Sequence, residues 1–439
     1  MAATLSLLSV LCTLLPTLAA AQSPRADRPQ ISGSLSLSQA VMTGVRENRM
    51  LQVAQADLRA AAAGTRSARS QTRPQASLNT YLTHGDSANI VSTSSGIMPL
   101  NTLAIPPLPF ADQNLTLMLP LYTGGRLEGQ VRAASEQEHA VVSDVAAAQA
   151  EVALLIREAY YRALLAAEMV KAAQARIDSD TAMLQVTRAQ VEAGKGIEAS
   201  VNRIEAELAD AQRMLTSARS DQTKALLDLK VAMGVKLESE ITLSDPLTFL
   251  TPERNLAASL SQATRSRPEL LAMRRRIGAA KAQTGVAKSA FQPQIYGLVM
   301  ADAFASREKS SGGYSIGITV SLPLLDGGQR RAEVDRARAM QDRAEAEAQD
   351  LELRVANEVR QGWLDVETAA QNYQTAIAAL KAAQSAYDVT ALRVQNQKSI
   401  LVEQLDALAA LTQARANLAR ALYEQATAIA RLRRAVGDP

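Results

Sequence analysis

LPLYTGGR (Leu119–Arg126) is an apolar stretch that breaks at a glycine pair and opens into a long alanine-rich run. Nearly the same phrase, LPLLDGGQR (Leu322–Arg330), recurs in front of a second such run. Pro323 lies 203 positions after Pro120, and that offset holds without a gap through the rest of the sequence. Arg157 falls on Arg360, Val186-Thr187 on Val389-Thr390, Lys195 on Lys398, Leu208 on Leu411 and Gly234 on Gly437. Self-similarity at one fixed offset means that the chain is two copies of a single structural unit.

Upstream of the phrase the offset becomes 219: Pro74-Gln75 matches Pro293-Gln294, and NRML (Asn48–Leu51) matches RPEL (Arg267–Leu270). The difference of 16 residues places a longer loop in the first copy. Each copy then has the order helix, strand, strand, helix, helix. The expected boundaries are a first repeat over 22–234, a linker over 235–254 and a second repeat over 255–439. One helix is expected over Leu37–Ser70 and another over Leu256–Ala290.

YSIGITVSL (Tyr314–Leu322) and NLTLML (Asn114–Leu119) alternate apolar and polar residues, the mark of strands with one apolar and one polar face. Strands are expected near 75–86, 112–122, 293–304 and 312–323. Seven of the 14 aromatic residues (Tyr81, Phe110, Tyr122, Phe291, Tyr296, Phe304, Tyr314) fall in or beside these segments. Aromatics gathered at strand ends point to a membrane barrel rather than to a sheet on a soluble core. Four strands close no barrel, and lipid tolerates no open sheet edge, so this reading requires several chains to share one cylinder.

After each glycine pair the sequence is helical for on the order of 65 residues, roughly 100 Å at ~1.5 Å per residue. A short break follows, AGKG (Ala193–Gly196) or NQKS (Asn396–Ser399), and the chain returns, giving hairpin helices over about 127–233 and 330–436. Small and medium apolar residues recur every three or four positions, as at Val145, Val152, Ile156 and Leu164 with the alanines between them, which predicts closely packed coiled coils. Pro120 and Pro323 are expected to end the strand ladders. The pairs Gly124-Gly125 and Gly327-Gly328 are expected to turn strand into helix.

Residues 1–21 are uncharged and apolar and end in three alanines, the pattern of a secretory signal peptide. Cys12, the one cysteine, lies within it, so no disulfide framework is expected in the remainder. With 47 basic and 44 acidic residues interleaved, the charge pattern is that of solvated helices and not of a nucleic-acid partner. The glycine pairs lack the Lys-Ser/Thr of a phosphate loop, and His84 and His139 read as surface residues. No catalytic, cofactor or metal site is expected.

Together these residues resemble the TolC-like outer membrane efflux proteins over essentially the whole chain after residue 21. The doubled architecture, the two strand-to-helix phrases, the Pro-Gln segments before the first strand of each half, and LDALAALTQARANLARALYEQ (Leu405–Gln425) carry the likeness. The resemblance implies a mainly α fold with a β-barrel part. Three copies would form a 12-stranded outer membrane barrel on a long α-helical coiled-coil tunnel in the periplasm. It implies a duct in an efflux or type I secretion system, with a periplasmic membrane fusion protein (adaptor) and an inner membrane pump of RND or ABC type as partners, and outer membrane lipid around the barrel. Two other classes share features with the chain. A periplasmic adaptor would show one hairpin between lipoyl-like halves, and a trimeric surface stalk would show a single coiled coil.

The resemblance also assigns sites. Glu403 and Asp406, at i and i+3 on one helix face after the second hairpin turn, are expected to narrow the tunnel entrance; six carboxylates from three chains would favour cations there. The tips, with Gly194, Lys195, Gly196, Gln397, Lys398 and Ser399, are the expected adaptor contact. Gln397 stands where the family has glycine, Ser399 and Val394 stand in place of its basic and aromatic gate partners, and Arg393 or Lys398 are the available basic substitutes. Ser200 holds the position of an acid in the first hairpin.

Overall fold

Four helices make up nearly half of the chain because their sequences carry no proline and abundant alanine over long spans. The computed structural model describes residues 28–83, 110–251, 255–306, 310–396 and 398–438. In chain order the first half holds β1 (Ser32–Leu35), α1 (Leu37–Glu47), α2 (Arg49–Ser70), β2 (Gln75–Thr83), β3 (Phe110–Tyr122), α3 (Arg126–Glu192) and α4 (Glu198–Met233). Then come β4 (Glu240–Leu243), α5 (Leu256–Ser266), α6 (Pro268–Ser289), β5 (Gln294–Ser306), β6 (Ser310–Ser321), α7 (Gln329–Gln395) and α8 (Leu401–Val436). Residues 1–21, expected to be a signal peptide, the segment 84–109 with His84, and Gln397 lie outside the described residues.

The repeat holds residue by residue. Both α3 and α7 have 67 residues, and both α4 and α8 have 36. At 1.5 Å per residue the longer pair span about 100 Å each. Gly234 and Gly437 end α4 and α8 in the left-handed region, at φ 75° and 78°. Each also abuts backbone: a Cβ on Gly234 would lie 2.8 Å from the Glu47 carbonyl oxygen, and one on Gly437 would lie 3.0 Å from Arg267 Cα. Glycine is therefore fixed at both sites by conformation and by space.

The leading helix of each half differs from the single helix expected. It breaks at Asn48, between α1 and α2, and at Arg267, between α5 and α6, where both residues are extended. Asn48 accepts from the Met50 N–H at 2.8 Å and its Nδ2 donates to the Ala232 carbonyl at 2.7 Å. Arg267 precedes Pro268, which disfavours a helical residue before it, and its Nη1 donates to the Ala435 carbonyl at 3.1 Å. The two carbonyls are repeat counterparts, so each break anchors the end of its own return helix. Packing follows the repeat as well. Gly44 leaves no room for a Cβ against Ile156, whereas the counterparts are Ala263 and the smaller Val359.

The sheet order is β2-β3-β5-β6, antiparallel throughout. The β3–β5 ladder joins the halves, which leaves β2 and β6 as edges. Across it Leu78, Leu115, Ala301 and Tyr314 share one face, as do Ala76, Leu117, Val299 and Ile316. These rows are largely exposed, whereas the opposite face carries Ser77, Asn79, Asn114, Thr116, Asp302 and Ser315. Pro120 does not end the ladder. It sits within β3 opposite Tyr296, where the register shifts before Tyr122; a bulge tolerates the missing N–H. Pro323 lies two residues beyond the end of β6.

The segment expected to be a plain linker contains β4, which pairs in parallel with β1, Ser32 opposite Glu240. Four-residue strands are too short to register as alternation. This ribbon covers a core of Leu35, Ala40, Ile156, Tyr160, Leu229 and Met233. The Tyr160 hydroxyl donates to the Leu35 carbonyl at 2.9 Å and lies 3.1 Å from the Asp245 carboxylate. Burial pushes the phenol up to about 12, so it remains a donor. The chain then crosses to the second half, where Leu250 N donates to Gln425 Oε1 at 3.1 Å and Phe249 stacks on Tyr373 at 4.4 Å.

Candidate functional site

Three regions carry the expected functional residues: the strand-to-helix joints, the hairpin tips and the first turns of α8. At the first joint Gly124 and Gly125 have φ 62° and 83°; at the second Gly327 and Gly328 have φ 64° and 94°. L residues avoid this region, so the reversal from strand to helix depends on the glycines. The residue before each pair completes the joint. Thr123 Oγ1 accepts from the Leu127 N–H at 3.3 Å. Its counterpart Asp326 accepts from Arg330 N at 3.0 Å and from Gly328 N at 3.1 Å.

Asp326 also receives the Arg330 guanidinium at 2.5 Å, and Arg330 Nη1 reaches the Pro323 carbonyl at 2.6 Å. The arginine side-chain and backbone hydrogen bonds hold the Asp326 carboxyl down at about 2. The same guanidinium lies 5.1 Å from the centre of the Phe291 ring. Asp326 and Arg330 were not singled out in the sequence; the signal for them was an acid and a base four apart across the glycine pair.

The two tips fold alike. Lys195 N donates to the Gln190 carbonyl and Lys398 N to that of Arg393, each at 2.8 Å. Gly194 supplies φ 70° in the first tip; its counterpart Gln397 is outside the described residues. The tips lie side by side and border an open groove of about 1280 Å³ that includes Gly194, Lys195, Gly196, Tyr387, Ser399 and Gln404.

Glu403 and Asp406 are exposed on α8, while Leu405 and Leu408 between and beyond them are buried against Met183, Leu184 and Ile204. Both carboxylates therefore point away from the hairpin core. The Ser399 hydroxyl donates to the Glu403 carboxylate, so two residues expected in different sites, tip and entrance, are tied together.

About four turns behind the first tip, a buried charge cluster went unread in the sequence. Arg176 Nε donates to Asp180 Oδ2 at 2.8 Å, and its Nη2 donates to Glu207 at 3.0 Å. Asp180 is fully buried and its other oxygen has no partner. Burial raises its carboxyl above the ordinary range, with Arg176 pulling the other way. The repeat holds the missed signal: all three counterparts, Ala379, Ala383 and Ala410, are alanine.

The profile described as "Outer membrane efflux protein" matches residues 45–235 and 259–438, one stretch in each repeat. The chain belongs to this family. Membership excludes the adaptor and surface-stalk classes. The alkaline protease secretion protein AprF of Pseudomonas aeruginosa is 27% identical over 299 residues, 64% of this chain and 60% of AprF. The cobalt-zinc-cadmium resistance protein CzcC of Cupriavidus metallidurans is 23% identical over 358 residues, 78% of this chain and 84% of CzcC. Three further relatives are matched over only 42%, 45% and 57% of their lengths.

Among solved structures, the CmeC outer membrane channel of Campylobacter jejuni superposes with a TM-score of 0.76 at 19% identity, over 92% of this chain and 85% of CmeC. VceC of Vibrio cholerae gives 0.75 at 18% identity, over 91% and 96%. At these identities the structures establish the fold.

Proposed function

We propose that copies of this chain close into a ring that forms an outer membrane barrel continued by a helical tunnel, and that the ring is a passive exit duct. One observation carries the reading: the surface by which the first half meets the second is presented again, unfilled, at the outer flank of the second half. Within the chain β3 pairs with β5, and a Cβ on Gly124 would meet Gln292 Cβ at 2.4 Å and the Ser289 carbonyl oxygen at 3.0 Å. The counterpart Gly327 meets nothing within 4 Å. Its matching surface, Ser70 and Arg73 beside the edge strand β2, belongs to the opposite flank. A head-to-tail contact generates a ring where its rotation closes, and one that repeats an internal contact of the chain suits such closure.

Burial supports this ring. Although α3 and α7 are equal in length, sixteen residues of α3 are buried and only six of α7. The ion pairs Arg431–Glu158 (2.6 Å) and Arg434–Glu151 (3.1 Å) join α8 to α3. The repeat puts α4 of the next copy on α7 in the same way, covering the exposed Leu227 and Val231. The number three and the 12-stranded barrel rest on the family resemblance.

The rows of exposed aliphatic residues on the sheet then face lipid, and the polar face lines the lumen. The tip groove takes an adaptor that leads to an inner membrane pump, and Glu403 and Asp406 ring the periplasmic entrance. The names of AprF and CzcC, one a secretion protein and one a metal-resistance protein, support export with the cargo chosen elsewhere. Purified protein in detergent is expected to be a trimer that raises planar-bilayer conductance. A water-soluble monomer without conductance would overturn the proposal.

A further inference from the structure

We infer that Arg126 forms an anion-binding ring inside the duct, where barrel meets tunnel, and that small polycarboxylates or phosphates passing through bind there. The inference rests on the duct reading above, because it needs several copies around one lumen. Tyr296 places the arginine. It lies six residues before Asp302 in β5 and shares a row with Pro120 and Thr319, so it belongs to the polar face that lines the lumen in that reading. Arg126 Nη2 donates to the Tyr296 hydroxyl at 2.8 Å, and that hydroxyl donates to Gln294 Oε1 at 3.1 Å. The guanidinium is thereby held against the lumenal wall from the first turn of α3.

No carboxylate answers it. The buried or half-buried arginines Arg176, Arg267, Arg330 and Arg434 each meet an acid within hydrogen-bond distance. Arg126 is half-buried too, yet among the described residues it forms no ion pair and the Tyr296 hydroxyl is its one hydrogen-bond partner. Its helix packs beside α2 and α6 of the same chain, whose last turns carry Arg69 and Lys288 and no acid. Glu128, two positions on, lies on another side of α3. Up the lumenal face of the sheet the first acids are Asp302 and Asp112, six and eight residues from Tyr296 and Pro120, about 20 Å or more at ~3.3 Å per residue.

The joint itself does not need this charge. At the second joint the repeat puts Gln329 at the position of Arg126, and Ser77 of the next copy at that of Tyr296. Gln329 is neutral and donates to Glu333 at 3.1 Å, while the adjacent Arg330 is already neutralised by Asp326. Around the ring, cations therefore alternate with neutral residues at one level. A guanidinium offers paired donors to the oxygens of a carboxylate or phosphate, which a lone amide does not match. The duct would then hold two opposite stations, acidic at the Glu403 and Asp406 entrance and basic at the foot of the barrel.

Citrate at pH 7 is the probe, added to full-length protein in planar bilayers. In about 0.01 M KCl, where the screening length is about 30 Å, wild-type channels should show a saturable, citrate-dependent fall in current. Arg126→Gln, which copies the second joint, should weaken that block about 2- to 10-fold, the worth of one hydrogen bond, and shift the reversal potential in a KCl gradient toward cations. Arg126→Lys keeps the charge and should stay close to wild type in both. Wild-type channels that ignore citrate overturn the inference, as does an Arg126→Gln channel with unchanged block and selectivity. Equal loss in Arg126→Lys and Arg126→Gln also overturns it, making the arginine a strut for Tyr296. In all three cases the channel still conducts and the duct reading survives, whereas wild-type protein that conducts nothing removes both.

Discussion

Gly124 and Gln292 touch across the junction of the two halves: a Cβ on the glycine would stand 2.4 Å from the glutamine Cβ, at a φ of 62°. Gly327 has the same conformation without the neighbour. Gly124→Ala should therefore combine left-handed strain of ~1–2 kcal/mol with a clash, whereas Gly327→Ala in a dissociated chain should carry the strain alone. In the proposed ring Gly327 would meet Ser70 and Arg73 of the next copy, so Gly327→Ala should also lower the dissociation temperature of the oligomer. Thermal unfolding and oligomer dissociation, measured side by side for the two variants, check both statements.

The Arg176–Asp180–Glu207 cluster predicts a non-additive series. Arg176→Ala leaves a buried carboxylate uncompensated and should cost about 3–5 kcal/mol. Changing all three residues to alanine, as the second hairpin already has them, should cost no more than ~1 kcal/mol. Asp180 is protonated more readily folded than unfolded, so this group favours the fold at low pH, and that contribution is lost as pH rises through its raised value. The Arg176→Ala defect should accordingly shrink on acidification, as read by denaturant unfolding at pH 4 and pH 7.

Asp326 titrates in the opposite sense. Its carboxyl is held at about 2, below the ordinary 3.8, so its stabilisation of the second joint is present above pH 4 and is lost as pH falls toward 2. Asp326→Asn should remove that dependence. Amide exchange at the start of α7 should show wild type and variant converging between pH 4 and pH 2, and a constant difference would contradict the assignment.

Glu403 and Asp406 are exposed and face away from the hairpin core, so in the proposed ring they meet passing ions. Glu403→Ala with Asp406→Ala should lower the cation-to-anion permeability ratio in planar bilayers and weaken block by divalent cations. Unchanged reversal potentials would remove the entrance assignment and leave the fold untouched.

Much of this architecture was legible because it is written twice. The offsets of 203 and 219 carry α3 onto α7, α4 onto α8 and α1–α2 onto α5–α6, and period-two alternation marked β3 and β6. What escaped was short or tertiary. The breaks at Asn48 and Arg267 sit inside continuous helical patterns, and the contacts to the Ala232 and Ala435 carbonyls that stabilise them are distant in sequence. The strands β1 and β4 have four residues each and declare themselves only by pairing. Pro120 suggested a ladder end, yet a bulge absorbed it. At the site, the tip and entrance residues were placed by family likeness, whereas the Asp326–Arg330 clamp and the buried cluster needed three-dimensional proximity. Ala379, Ala383 and Ala410 show that a comparison of the two copies could have exposed the latter.

The central claim is that β6 of one copy pairs with β2 of the next as β5 pairs with β3 inside the chain. Carrying the Met118–Leu298 pair through both offsets puts Ser321 opposite Asn79 of the neighbouring copy. Opposed residues in an antiparallel ladder lie within reach of a disulfide. Beyond the expected signal segment the chain has no cysteine, so Asn79→Cys with Ser321→Cys can be oxidised on a clean background. Non-reducing denaturing gels should show a covalently closed trimer, with the single variants remaining monomeric. A double variant that stays monomeric, or that forms an open ladder beyond three copies, would contradict the ring.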